Sequence, residues 1–124
     1  MSNAIPHITV CLCTYQRPTL LPRLLEDLIR QDTQGQFTFS VVVTDNDPGE
    51  SGRPVVAEIS ARSQLPISYS TESQRSISHA RNTCLKGATG EYIAFIDDDE
   101  FPRHDWLLQM YRALIANHCA GVLG

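Results

Sequence analysis

Four consecutive acids, Asp97, Asp98, Asp99 and Glu100, follow directly on the apolar segment "EYIAFI". Like charges crowded at the end of a buried segment are unfavourable unless a cation lies nearby, because burial penalises the ionised form and each carboxylate repels the next. In extended chain alternate side chains share a face, so Asp97 and Asp99 are expected to point together and Asp98 away. Two carboxylates on one side supply half of an oxygen cage for a hard divalent cation. Mg2+ and Mn2+ complete such shells with water and substrate phosphate. The competing reading is a solvated run of surface charge. Against it stands the abrupt junction with the apolar segment, which anchors the acids.

Cationic partners lie in "QRSISHARN". Arg81 falls about one turn into an expected helix, whose free first-turn N–H groups and positive dipole end suit an anion. Its planar fork fits a phosphate, and equally an ion pair with one of the acids, while Arg75 in the preceding loop adds a second cation. In "TDND", Asp45 could accept a hydrogen bond from a nucleobase N–H, whereas Asn46 and Asp47 read as ordinary turn formers. His79 and His104 have no partner at metal-site spacing and read as structural. Cys11 and Cys13 share one face of a strand as small core residues. With Cys84 and Cys119 they are too scattered for a disulfide framework, and no C-x-x-C pair occurs.

The elements that must position these residues alternate. "ITVCLCT" reads as a buried strand that stops at "YQRP". Leu21, Leu24, Leu25, Leu28 and Ile29 then form the stripe of an amphipathic helix, with Pro18, Thr19 and Pro22 crowded at its start, where a missing N–H does no harm. A second strand runs to about Thr44, a weakly patterned helix covers about 54–63, and "PISYST" is a short third strand. Ile77, Ala80, Cys84, Leu85 and Ala88 mark the next helix, with Ser76 or Ser78 as its cap and Gly90 placed to end it. "EYIAFI" is the fourth strand. Leu107, Met110, Tyr111, Leu114 and Ile115 mark the last helix, and "CAGVLG" reads as another strand beginning. Such alternation predicts an α/β three-layer sandwich with a mostly parallel central sheet and right-handed crossovers. Ligands in such sheets bind beyond the carboxyl ends of the strands, where "TYQR", "TDND" and "DDDE" all fall.

Composition narrows the classes further. At 124 residues the chain is one domain's worth, and 42% hydrophobic with 19% charged residues marks it as globular rather than disordered. A formal net charge of −4 gives no reason to expect nucleic acid as a partner. No run approaches a membrane span and no secretory signal pattern opens the chain, so a cytoplasmic location is expected. Residues 1–4, "MSNA", resemble a cloning scar and are set aside, leaving 5–124 as the domain.

"VCLCTYQRPTLLPRLLEDLIRQ", "VVVTDND" and "SISHARNTCLKGATGEYIAFIDDDEFPRHDWL" together, in this order, resemble the nucleotide-binding half of family 2 glycosyltransferases, which have the Rossmann-like GT-A fold. The resemblance spans Ile8 to about Gly124. It implies that Thr14, Tyr15 and Arg17 border the nucleoside, Asp45 contacts the base, Arg81 reaches base or phosphate, Asp98 approaches the ribose, and Asp99 ligates the metal, Mn2+ or Mg2+; Asp97 joins it as second carboxylate on the alternation argument above. The implied substrate is a nucleotide-diphosphate sugar, a UDP-sugar first. The implied acceptor is a carbohydrate or lipid-linked hydroxyl in cell-envelope polysaccharide biosynthesis, reached in the cytoplasm or peripherally at the inner face of the membrane. Many relatives carry N-x-G where this chain has "QRSIS". The family's acceptor half and catalytic base are expected beyond Gly124, so this chain is read as a donor-binding fragment, inactive in transfer by itself. The alternative is a non-catalytic nucleotide-binding or regulatory module. A phosphoacceptor signalling domain would need a lysine at the end of a late strand, and Lys86 falls in an expected helix.

Overall fold

The computed structural model describes residues 5–117. The expected strand in "CAGVLG", the segment 1–4 and Cys119 lie outside the described residues. Four strands and four helices alternate: β1 (His7–Thr14), α1 (Leu21–Ile29), β2 (Thr38–Asp45), α2 (Arg53–Arg62), β3 (Ile67–Thr71), α3 (Ile77–Gly87), β4 (Tyr92–Asp97) and α4 (Trp106–Asn117). All strand pairs are parallel, in the order β3-β2-β1-β4.

The two faces of the sheet carry unequal cores. Ile8, Val10 and Leu12 of β1, Val41 and Val43 of β2, and Ala94 and Ile96 of β4 point to one side, where α1, α2 and α4 cover them. Leu21, Leu24, Leu25 and Leu28 of α1 are all fully buried there, and truncating one such leucine to alanine typically costs about 2–5 kcal/mol. The alternate residues Cys11 and Val42 face the other side and meet Cys84 of α3 in a much smaller cluster. Ile93 and Phe95 of β4, on this sparsely covered side, remain about two-fifths exposed.

Ser76 caps α3, its hydroxyl accepting from the His79 N–H. Gly90 does not end that helix, which stops at Gly87; it sits at φ +88° in the turn that leads into β4. A Cβ at Gly90 would lie 2.5 Å from the His7 carbonyl oxygen, so both its backbone angle and the close strand approach require glycine. From β1 the chain steps outward through β2 to β3, then returns across the sheet to place β4 on the opposite side of β1. The return crossover runs through α3, on the face opposite α1, α2 and α4, and it leaves the carboxyl ends of β1 and β4 side by side at the point where the strand order reverses.

Candidate functional site

The acids occupy the carboxyl end of β4 as a turn, not as continued strand. Asp97 is the last strand residue; the Glu100 N–H donates to its carbonyl at 3.1 Å, and its own N–H donates to Glu100 Oε1 at 2.9 Å. Strand alternation thus does not sort the three aspartates as expected. The turn does, with the same separation: Asp98 keeps only 13% of its side chain exposed, while Asp97 and Asp99 keep 52% and 57%.

Asp98 ties the acidic turn to the loop after β1. Its Oδ2 accepts from the Thr14 hydroxyl at 3.1 Å and the Tyr15 N–H at 3.0 Å, and its Oδ1 lies 3.3 Å from Arg17 Nε. Gln16, between those partners, adopts the left-handed backbone region at φ +50°, which turns Tyr15 and Arg17 toward the same carboxylate. The Arg17 carbonyl in turn accepts from Leu20 and Leu21 at the head of α1. Two loops from strands adjacent in space are thereby fixed by one side chain.

Around this clamp lies a cleft of about 510 Å³, lined among others by Thr14, Tyr15, Arg17, Arg81 and the three aspartates, so seven of the eight expected site residues converge. Its two arginines face three aspartates, and two of the ion pairs are loose: Arg81 lies 3.8 Å from Asp97 and Arg17 3.9 Å from Asp99, with every partner about half exposed. Arg81 also sits over the Phe95 ring, and Arg75 lies 4.2 Å from the centre of the Tyr15 ring rather than on the cleft wall. A larger groove of about 740 Å³ shares Arg81 and Asp97 and continues along β4 over Phe95, Phe101 and Trp106. Among the described residues no group of three or more His, Cys, Asp or Glu side chains forms a ready metal cage. Two accessible carboxylates with weak partners still fit a cation that takes its remaining ligands from water and phosphate, as Mg2+ and Mn2+ do. His79 and His104 contribute backbone contacts, the latter's carbonyl accepting from the Asp32 N–H.

The eighth residue, Asp45, is placed otherwise. Its side chain is fully buried and its oxygens are occupied: Oδ1 accepts from the Asp47 N–H at 3.0 Å, and Oδ2 from the Gly52 N–H at 2.9 Å and the Tyr69 hydroxyl at 2.6 Å. A Cβ on Gly52 would approach Oδ2 to 3.0 Å, a measure of how tightly this corner is built. Burial first, and then the bond to Asp45, push the Tyr69 phenol well above its usual range, so it remains a donor. The expectation that Asp45 meets a base is therefore corrected: it holds the β2–α2 loop and the start of α2.

Its neighbour Asn46, read from sequence as a turn former, lines the cleft instead. Nδ2 donates to the carbonyls of Glu72 and Gln74 at 2.7 and 2.9 Å, which fixes the amide plane and leaves Oδ1 with no partner among the described residues. The signal was available: Asn46 is the first residue past the end of β2, where a parallel sheet presents side chains to its crevice.

The family model for glycosyl transferase family 2 matches residues 9–124, almost the whole chain. The chain belongs to glycosyl transferase family 2. Among curated relatives of this family 2 chain, the succinoglycan biosynthesis protein ExoM of Rhizobium meliloti (strain 1021) is 36% identical over all 124 residues, which make up 40% of ExoM. Among solved structures, the mannosyltransferase PcManGT from Pyrobaculum calidifontis, in complex with GDP-Man and Mn2+, superposes with a TM-score of 0.78 at 27% identity, covering 90% of this chain and 33% of that one. Residues 1–349 of S. aureus TarS, in complex with UDP-GlcNAc, superpose with a TM-score of 0.72 at 25% identity, covering 90% and 32%. The chain thus has the GT-A architecture and spans 40% of ExoM and about a third of each of these two solved chains.

Proposed function

We propose that this chain forms the donor site of an inverting glycosyltransferase, binding a nucleoside-diphosphate sugar for transfer to an acceptor hydroxyl. The observation that carries the reading is the cleft between β1 and β4, where Asp98 locks the Thr14–Arg17 loop against a turn bearing two accessible carboxylates, with Arg81 opposite. PcManGT with GDP-Man and Mn2+, and TarS with UDP-GlcNAc, support the same class of ligand for this chain. A volume of about 510 Å³ is in the range usual for small-ligand sites.

In this reading Tyr15 and Thr14 border the nucleoside, and Asn46 Oδ1 accepts from a base N–H in place of Asp45. An imide N–H, as in uracil, suits a lone acceptor, so a UDP-sugar is the first candidate. Arg81 and Arg17 exchange their loose carboxylate contacts for the diphosphate, a trade favoured because guanidinium–phosphate bonds are charge-assisted and bidentate. Asp98 keeps the loop in register, and its Oδ1 becomes available to a ribose hydroxyl as Arg17 moves. Asp97 and Asp99 would hold Mn2+ or Mg2+, which when bound supplies Lewis-acid stabilisation of the departing nucleoside diphosphate. In this reading the acceptor molecule brings the attacking hydroxyl, and the carboxylate base that deprotonates it is placed outside the described residues.

Calorimetric titration with UDP-, GDP- and TDP-sugars, each with Mn2+ and with excess chelator, tests the reading. Metal-dependent binding of one nucleotide class is expected. No binding of any of the three in either condition would overturn it. The alternative, a regulatory nucleotide-binding module, predicts the same binding with no transfer by the whole protein.

A further inference from the structure

Three thiols converge behind the floor of the cleft. Cys11 and Cys13 reach from β1 toward α3, and Cys84 of α3 meets them, with its Sγ 3.9 Å from Cys13 Sγ. Cys11 and Cys84 are fully buried, whereas Cys13 is part-exposed and lines the cleft beside Thr14, Arg81 and Asp97. Cys84 is held by a 3.0 Å hydrogen bond from its thiol to Thr44 Oγ1 and by longer contacts to the carbonyls of Leu12 and Val42. One thiol of this cluster is reachable from solvent, and a second lies just behind it.

We propose that Cys13 and Cys84 are an oxidisable pair: Cys13 is the entry point for a peroxide-class oxidant, Cys84 is the resolving thiol, and the product is a disulfide beneath the cleft. A disulfide needs its sulfurs about 2.05 Å apart, so from 3.9 Å the pair must close by roughly 1.9 Å. Cys84 loses its bond to Thr44, whose hydroxyl retains Ser70 at 3.0 Å. Cys13 yields its proton to water and its sulfur attacks one peroxide oxygen; the O–O bond breaks, and the departing hydroxide takes up a proton as water, leaving a sulfenic acid. Cys84 then attacks that sulfur, the S–O bond breaks, and the second hydroxide leaves with the Cys84 proton as water. Two electrons pass from the thiols to one peroxide. Arg81 lies one helical turn before Cys84, so the bridge draws one of the cleft's two arginines toward β1. This effect on the donor, unlike the disulfide itself, rests on the function proposed above.

The test is peptide mapping after treatment of the native protein with hydrogen peroxide and alkylation of the remaining thiols. A linked peptide joining Cys13 to Cys84, about 2 Da lighter than the two thiol peptides, is expected. Cys84→Ser should stop the reaction at a Cys13 sulfenic acid that dimedone traps. A crosslink joining any other pair, or oxidation of Cys13 to sulfinic acid in the wild type with no crosslink, would overturn the pairing. Saturating UDP with Mn2+ should slow Cys13 alkylation at least tenfold. If the crosslink forms but UDP gives no protection, the donor reading of the cleft fails while the oxidisable pair stands.

Discussion

Replacing Asp45 by Asn separates a base-reading role from a scaffolding one. The carboxylate is fully buried and accepts three hydrogen bonds, from Asp47 N–H, Gly52 N–H and the Tyr69 hydroxyl. An asparagine amide keeps one acceptor oxygen. Set in the Oδ2 position, that oxygen retains Gly52 and Tyr69 as neutral bonds and turns an NH2 group toward the Asp47 N–H. Leaving one buried donor unmatched costs about 1–3 kcal/mol, and weakening two charge-assisted bonds costs about 1 kcal/mol each, giving roughly 3–5 kcal/mol. Against a typical domain stability of about 5–15 kcal/mol this is severe but survivable. At about 4 °C per kcal/mol for a chain of this size, the Tm should fall by roughly 12–20 °C. The assay is thermal and urea unfolding followed by circular dichroism, together with UDP titration at 10 °C, where the variant is still folded. The expected outcome is a large stability loss with UDP affinity reduced less than threefold. A variant as stable as the wild type that loses UDP affinity tenfold or more would refute the reasoning and return Asp45 to the base.

Asn46→Ala removes the unpartnered cleft acceptor and should lower UDP affinity about fivefold or more, the share of one hydrogen bond; unchanged affinity in calorimetry would exclude Asn46 from the base contact. Asp99→Asn should abolish most of the Mn2+-dependent increment in nucleoside diphosphate binding and Asp97→Asn a smaller part, because repulsion between the acids and the diphosphate is what the metal relieves; equal affinity with excess chelator in the wild type would contradict this. Stability should fall in acid. The Ser51 side chain and Gly49 N–H hold the Asp47 carboxyl below its usual range, the Thr83 hydroxyl and Gln74 N–H do so for Glu72, and the His7 N–H does so for Glu91. Each is depressed in the folded state, so its contribution is present above the unfolded carboxylate pKa of about 4 and is lost as pH falls through the folded value. Tm should be flat from pH 7 to about pH 5 and drop below about pH 4, less steeply in Glu91→Gln; a flat Tm down to pH 3 would count against all three bonds.

Much of the architecture was legible along the chain because strand and helix periods report burial directly. The leucine stripe of α1 and the β-branched runs of β1 and β2 matched their elements to within a residue or two at each end. The weakly patterned α2 was legible mostly through its flanking turn and Pro54, since Val56 and Ile59 are its only buried residues. Gly90 was misjudged as a helix stop because a glycine after a helix usually serves that end. Its actual constraint, the His7 backbone across the β1–β4 pair, is invisible in local sequence.

The residue types that could do this chemistry, and their place at the carboxyl ends of parallel strands, were determined by sequence: chain order and periodicity require that "TYQR", "TDND" and "DDDE" gather at one edge. Which of those residues turn inward was decided by tertiary structure. Asp45 and Asn46 are adjacent in the chain and similar in chemistry, yet one closes a buried corner with Gly52 and Tyr69, 7 and 24 residues away, and the other faces the cleft. Asp98 is set apart from Asp97 and Asp99 by partners 83 and 84 residues distant. Those choices depend on donors supplied by other elements. A buried carboxylate goes where such donors already point, and that is a property of the assembled sheet rather than of the segment carrying the acid.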